Sequence, residues 1–245
     1  MERTNAYSLL DFLDNSPCNF FATATIQRYL DDNGFQELKQ SERWNLEKGG
    51  KYYVKKNDTA IFGFVIGETP LDQSGFNMIS AHSDSPCFRI KPNPEMLADG
   101  VLKLNTEVYG GPILYTWFDR PLSLAGRVIV RNPQNPARPI TKLIDFASPV
   151  LIIPHLAIHF NRNVNAGNPL SKQKDMLPIA AIVSDSMSKN NFLIDQIKER
   201  LEIADSKDIL DFDLMLYNCQ KSQLVGFNKE FICSEIGRAS CRERV

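Results

Sequence analysis

The chain has no apolar run longer than a strand, and its longest, such as Ile61 to Ile66, fall far short of the roughly twenty residues a membrane-spanning helix needs. Its first residues, Met1-Glu2-Arg3-Thr4-Asn5, lack a basic segment leading into an apolar one, so no secretory signal is expected. No dense Lys/Arg block is present, and the formal charge of the 245 residues is -1, which excludes a general electrostatic pull toward nucleic acid or acidic membranes. The five cysteines, at positions 18, 87, 219, 233 and 241, are odd in number and scattered. They form neither a Cys-x-x-Cys pair nor a disulfide framework, and a reducing cytoplasm fits them best. Internal repeats and low-complexity segments are also missing.

What is present is ordinary globular composition. With 43% hydrophobic and 23% charged residues, the chain is long enough for one large domain or two smaller ones with real cores. Helical spacing runs over residues 6 to 14 through Leu9, Leu10 and Leu13, and over 19 to 33 through Phe20, Phe21, Ala24 and Leu30, with Gly34 as a stop. Tyr52 to Val54 and Ile61 to Ile66 predict a hairpin joined through Lys55-Lys56-Asn57-Asp58-Thr59. Phe76 to Ala81 predicts a further strand buried on both sides, with His82 emerging at its carboxyl end, where open α/β sheets bind ligands. Pro92 and Pro94 deny ladder donors and are expected to break the preceding strand, so a domain boundary is placed at 93/94. Beyond it lie short β-type runs at Val101 to Leu104, Ile113 to Phe118, Leu122 to Val130, Ile140 to Phe146, Val150 to Ile153 and Asp213 to Tyr217. One amphipathic helix is expected at Asn191 to Ile203. This block, 94–227, reads as a β-rich domain inserted into the first.

The tail Glu235-Ile236-Gly237-Arg238-Ala239-Ser240-Cys241-Arg242-Glu243-Arg244-Val245 looks like a translated sequencing adapter. It is charged and shows no amphipathic period that would dock it. Residues 235–245 are therefore expected to be an artefact, with the natural chain continuing past Ser234.

Three histidines limit the candidates for metal or acid–base chemistry. In Ala81-His82-Ser83-Asp84, the histidine and carboxylate stand two residues apart, so on a strand they share one face. An imidazole can then bind a metal through one nitrogen while the carboxylate fixes the other, although such a pair also serves simply as a satisfied polar contact. His155 and His159 stand four apart, a spacing that on a helix puts both rings on one face. No Glu follows the first of them, so the zinc-protease pattern His-Glu-x-x-His is absent. His155 suits orientation or packing, and His159 is the stronger functional candidate. Cys87 reads as a small buried residue rather than a nucleophile, since only Arg89 offers a nearby positive charge. Tyr109-Gly110-Gly111-Pro112 lacks Walker spacing and reads as a turn, and Trp117-Phe118-Asp119-Arg120 as core and pairing residues.

Taken in order, Ala81-His82-Ser83-Asp84-Ser85-Pro86-Cys87-Phe88-Arg89-Ile90-Lys91-Pro92, Tyr109-Gly110-Gly111-Pro112, Trp117-Phe118-Asp119-Arg120-Pro121-Leu122-Ser123-Leu124-Ala125-Gly126-Arg127-Val128 and Pro154-His155-Leu156-Ala157-Ile158-His159 resemble the aspartyl aminopeptidase family of zinc metallopeptidases. Gly226 to Ile232 extends the resemblance. It implies an α/β catalytic domain of the zinc-exopeptidase type, incomplete here, interrupted by a β-rich dimerisation domain in cytoplasmic homo-oligomers built from dimers. Residues 1–93 would be the N-terminal part of the catalytic domain and 228–234 the return to it. By the same resemblance His82 ligates one of two zinc ions, and Asp84 holds its tautomer and raises its basicity. His159 would reach the partner subunit's active site and contact the peptide substrate or the developing oxyanion, with direct metal ligation as a second choice.

The family's next motif, of Arg-Leu-Asp-Asn type, is expected where the adapter-like tail begins. The general-base glutamate, the remaining carboxylate ligands and the last histidine ligand would follow it. The chain as written is therefore expected to be inactive, although the resemblance implies a family that removes N-terminal residues, acidic ones among them, from peptides. A non-catalytic oligomerisation or interaction module is the alternative from a different class, and a thiol hydrolase centred on Cys87 is a distant third.

Overall fold

A computed structural model describes residues 4–70, 73, 75–183 and 191–234, and the adapter-like tail lies outside them. Its described part divides into two compact units, one ending at Asp84 and the other beginning at Ser85. Both combine helix and sheet, which makes the chain mixed α/β as expected.

The first unit opens with α1 (Thr4–Asp14) and α2 (Asn19–Asp32), close to the predicted spans. Phe20, Ala22, Thr23 and Thr25 give α2 its buried face. Gly34, at φ 77°, ends the helix in a left-handed conformation that costs glycine little. A short strand β1 (Gln36–Glu37) runs parallel to β2 (Lys51–Lys56), which pairs antiparallel with β3 (Ala60–Val65). The predicted hairpin is present, and Asn57 and Asp58 turn it with φ of 53° and 55°, a region their short polar side chains tolerate. Tyr53, 2% exposed, ties helix to sheet: its hydroxyl donates to Asp31 Oδ1 at 2.8 Å and accepts from Gln27 Nε2 at 3.1 Å.

The expected strand at Phe76 to Ala81 does not form. These residues form no ladder and are exposed, with Ile79 fully so and Phe76 and Met78 at 75% and 72%. The three-stranded sheet ends at β3, and no described segment pairs with residues 76–81. Without a ladder or a covering layer, β propensity alone does not make a strand.

The second unit is built on a sheet of strands β4 (Cys87–Ala98), β5 (Val101–Tyr109), β6 (Leu122–Val130), β7 (Ile140–Asp145), β8 (Ile179–Ile182) and β9 (Ile209–Asn218). Their order is β7-β6-β9-β4-β5-β8, and every pairing is antiparallel. The core contains Phe88, Leu104, Leu122, Leu124, Val128, Ile144, Leu214 and Leu216, covered by Leu193 and Ile197 of α3 (Phe192–Arg200) and by Ile153 and Met176. A hairpin of β10 (Gln223–Val225) and β11 (Phe231–Cys233) follows.

Two expectations are corrected by the second unit. Pro92 and Pro94 do not break the strand: β4 continues through the boundary placed at 93/94. The register jumps from Ile90↔Thr106 to Glu95↔Leu104, so both prolines fall in the bulged stretch, where no ladder donor is required. Ile113 to Phe118 is not a strand, because Leu114–Trp117 form a 3₁₀ turn. Thr116 closes it by donating both its hydroxyl, at 2.8 Å, and its N–H, at 3.2 Å, to Ile113 O. Residues 231–233 form β11, which pairs with β10.

Candidate functional site

His82 and Asp84 lie in irregular chain at the end of the first unit. His82 Nδ1 stands 2.8 Å from the Asp84 carbonyl oxygen and 3.1 Å from Asp84 Oδ1. A backbone carbonyl only accepts, so Nδ1 carries a proton and donates. In the neutral ring the lone pair is then on Nε2, and the side chain is 43% exposed. Next to it, Ser83 Oγ donates to Thr59 O at 2.7 Å, anchoring the loop to the β2–β3 turn. The His-x-Asp pair is thus held by a loop rather than by the strand face expected for it.

The other two histidines belong to the second unit. No helix forms at 155–159, so the shared face that four-residue spacing would create is absent. Residues 154–157 are irregular, and a turn closes where Phe160 N donates to Ala157 O at 2.9 Å. Pro154 leads into this loop instead of starting a helix. His155 is half-buried, with its ring edge-on to Phe118 at 4.6 Å and 6.2 Å from the ring of Tyr115. His159 is exposed near the loop tip. A cleft of about 440 Å³ lies beside the loop. Phe118, His155, Phe160 and Leu177 give it apolar walls, and Lys103 and Asp175 give it charge.

Cys87 is 6% exposed and packs in the sheet, the role expected of it. Gly110, at φ 71°, places its backbone against Pro86, as a glycine turn requires. Two partnerships escaped sequence reasoning. Arg89 Nε and Nη2 both donate to Asp213 Oδ1, at 3.1 and 2.8 Å, across 124 positions of chain. Asp119 Oδ1 accepts from the His155 backbone N–H at 3.0 Å. Sequence spacing holds no signal for the first pair, whereas the proximity of Asp119 to Trp117 and Phe118 already marked its segment.

A catalytic zinc ion needs about three protein donors plus a water, and a structural one about four. Among the described residues, no group of three or more His, Cys, Asp and Glu side chains is placed to hold a metal ion. His82 Nε2 is a single donor, and Asp84 Oδ1 is engaged with the other ring nitrogen. The described residues therefore do not by themselves fit the two-zinc site that the resemblance implies.

Comparison with known proteins adds the following. The profile described as "Aminopeptidase I zinc metalloprotease (M18)" matches residues 12–237. A protein of Clostridium novyi (strain NT) named "Probable M18 family aminopeptidase 2" is 51% identical over 230 residues, covering 94% of this chain and 53% of the relative. Ape4, in a cryo-EM structure of its complex with Nbr1, superposes with a TM-score of 0.86 at 32% identity, over 93% of this chain and 46% of that one. The S. cerevisiae mApe1 dodecamer shares the fold, with a TM-score of 0.77 at 22% identity over 93% of this chain and 51% of its own. The chain spans about half the length of the curated relatives it matches.

Proposed function

Because the chain belongs to the aminopeptidase I zinc metalloprotease (M18) family, we propose that it is the part of a cytoplasmic aminopeptidase that carries one metal-ligating histidine and the self-association domain. The complete enzyme would use two zinc ions to release N-terminal residues, acidic ones among them, from peptides. The observation that carries this reading is the orientation of His82. Its Nδ1 proton is held by Asp84, which leaves the lone pair on Nε2 of a ring that is 43% exposed, as a metal-ligating imidazole needs.

In this reading Asp84 fixes the ring and raises its basicity. His159, on an exposed loop, contacts the substrate or its developing oxyanion in the partner subunit. Self-association is supported by the exposed apolar residues Leu156 at 61%, Ile158 at 51% and Phe160 at 81% on that same loop. The dodecamer formed by a structural relative points the same way. Residues 1–93 are proposed as part of the catalytic domain, 94–227 as the inserted self-association domain and 228–234 as the return to the catalytic domain.

The chain as written is proposed to be inactive, since the described residues offer too few metal donors. Sequencing the gene past Ser234 tests this: a downstream Asp, Glu-Glu, Asp and His set is expected, and its absence would overturn the reading. In an enzyme carrying that complete set, His82→Ala is expected to remove metal and activity together, while His159→Ala lowers turnover with zinc retained. Unchanged zinc and turnover in the first variant would refute the assignment of His82. If the self-association module is the whole function, the chain forms dimers in sedimentation without zinc, and a strictly monomeric protein excludes that alternative.

A further inference from the structure

The entry of the loop that bears His159 is held by an interlock between two segments distant in sequence. Asp119 N donates to Ile153 O at 2.9 Å, and His155 N donates back to Asp119 Oδ1 at 3.0 Å. Phe118 pairs with Ile153 as an isolated parallel bridge, and its ring meets the His155 ring at 4.6 Å. Asp119 itself sits at φ 53°, a left-handed conformation that Asp and Asn tolerate better than most residues. One residue therefore supplies a backbone donor to position 153, a side-chain acceptor to position 155, and the unusual backbone angle that lets both bonds form. Past His155 the loop's backbone bonds are local, closing the turn at Ala157–Phe160, so the direction in which the loop leaves is set at this interlock.

From this geometry we infer that Asp119 is a positioning residue: its carboxylate fixes the start of the 154–160 loop and thereby aims His159. The part concerning His159 rests on the role proposed for that residue above, whereas the anchoring of the loop stands on the distances alone. Asp119 is exposed, and its carboxylate accepts a charge-assisted bond from the His155 amide.

The test is amide hydrogen exchange on the full 245-residue chain, comparing Asp119→Gly, which accommodates the positive φ but has no acceptor, with Asp119→Asn, which keeps both an oxygen acceptor and tolerance of that angle. We expect D119G to speed exchange of the His155 amide by about tenfold or more while the amides of β6 and β9 keep their protection, and D119N to stay below about fivefold. An unchanged His155 amide in D119G, or a D119N variant as fast as D119G, overturns the inference. Should D119G lose protection throughout β6 and β9, D119N decides alone, with more than about fivefold acceleration counting against the anchor. In an active complete enzyme the same variants separate the second claim: D119G lowers kcat with KM unchanged and D119N restores it. Failure of the enzyme reading leaves the exchange result intact, so the two can fail separately.

Discussion

Gly126 occupies a place in β6 that no other residue can take without moving the sheet. It pairs with Leu214 of β9 on one side and with Ile144 of β7 on the other. A Cβ built there would stand 2.0 Å from Asp213 O and 3.0 Å from both Asp213 C and Leu214 Cα. These are backbone atoms of the neighbouring strand, not the movable end of a side chain, so Gly126→Ala requires the strands to part by about 1.4 Å before ordinary contact at 3.4 Å is reached. Overpacking of this kind costs about 1–3 kcal/mol, and stretched ladder bonds add about 1 kcal/mol each, which sets the expected loss at about 3 kcal/mol. With a urea slope of about 2 kcal/mol per molar, the unfolding midpoint falls by roughly 1.5 M. Trp117 reports on this unit through its edge-on contact with Phe88 at 4.9 Å, and a Trp44→Phe background removes the other tryptophan's signal. Gly111→Ala is the control, since a Cβ there meets nothing within 4 Å. A midpoint shift in G126A below about 0.3 M, or one equal to the control, would refute the close-approach argument.

Leu214→Ala empties a fully buried core position and is expected to cost about 2–5 kcal/mol, read as a lower melting temperature of the second unit. Asp213→Asn removes the carboxylate from Arg89 at 2.8 Å, and because both side chains are partly exposed the loss is expected near 1 kcal/mol, shrinking in high salt. The Tyr53 phenol is pushed up from 10.0 to about 12, first by burial and then by its hydrogen bond to Asp31. With the folded value raised, its contribution is complete below pH 10 and is lost as pH climbs toward 12, so an alkaline denaturation curve should lose that component in Tyr53→Phe. Removing the exposed His82 ring should change stability by less than about 0.5 kcal/mol in thermal unfolding, and a larger change would show that the loop depends on it structurally.

The elements legible in the sequence are those whose stabilising contacts repeat with the local period. Helix α2 lies within the predicted span 19 to 33, although of Phe20, Phe21, Ala24 and Leu30 only Phe20 is fully buried, and the β2–β3 hairpin follows its Asn57-Asp58 turn. Strand β6 was expected at Leu122 to Val130 and lies at those residues. The misread elements depend on something outside the segment. Phe76 to Ala81 has strand composition but no described partner strand. Pro92 and Pro94 look like breakers but fall where the ladder of β4 already skips residues. At Ile113 to Phe118, Thr116 offers the backbone a competing local hydrogen bond.

The same division holds for function. Sequence alone determined the family, because long ordered motifs such as Ala81 to Pro92 and Trp117 to Val128 constrain identity without reference to three-dimensional contacts. It also singled out His82, Asp84 and His159, because few residue types bind metals or move protons and the chain has only three histidines. Only the tertiary structure decided that Asp84 engages His82 Nδ1, that His155 and His159 share no helix, and that Asp119 and Arg89 find their partners 36 and 124 positions away. The physical reason is that directional contacts between distant residues depend on where the backbone returns, and no local spacing encodes that path.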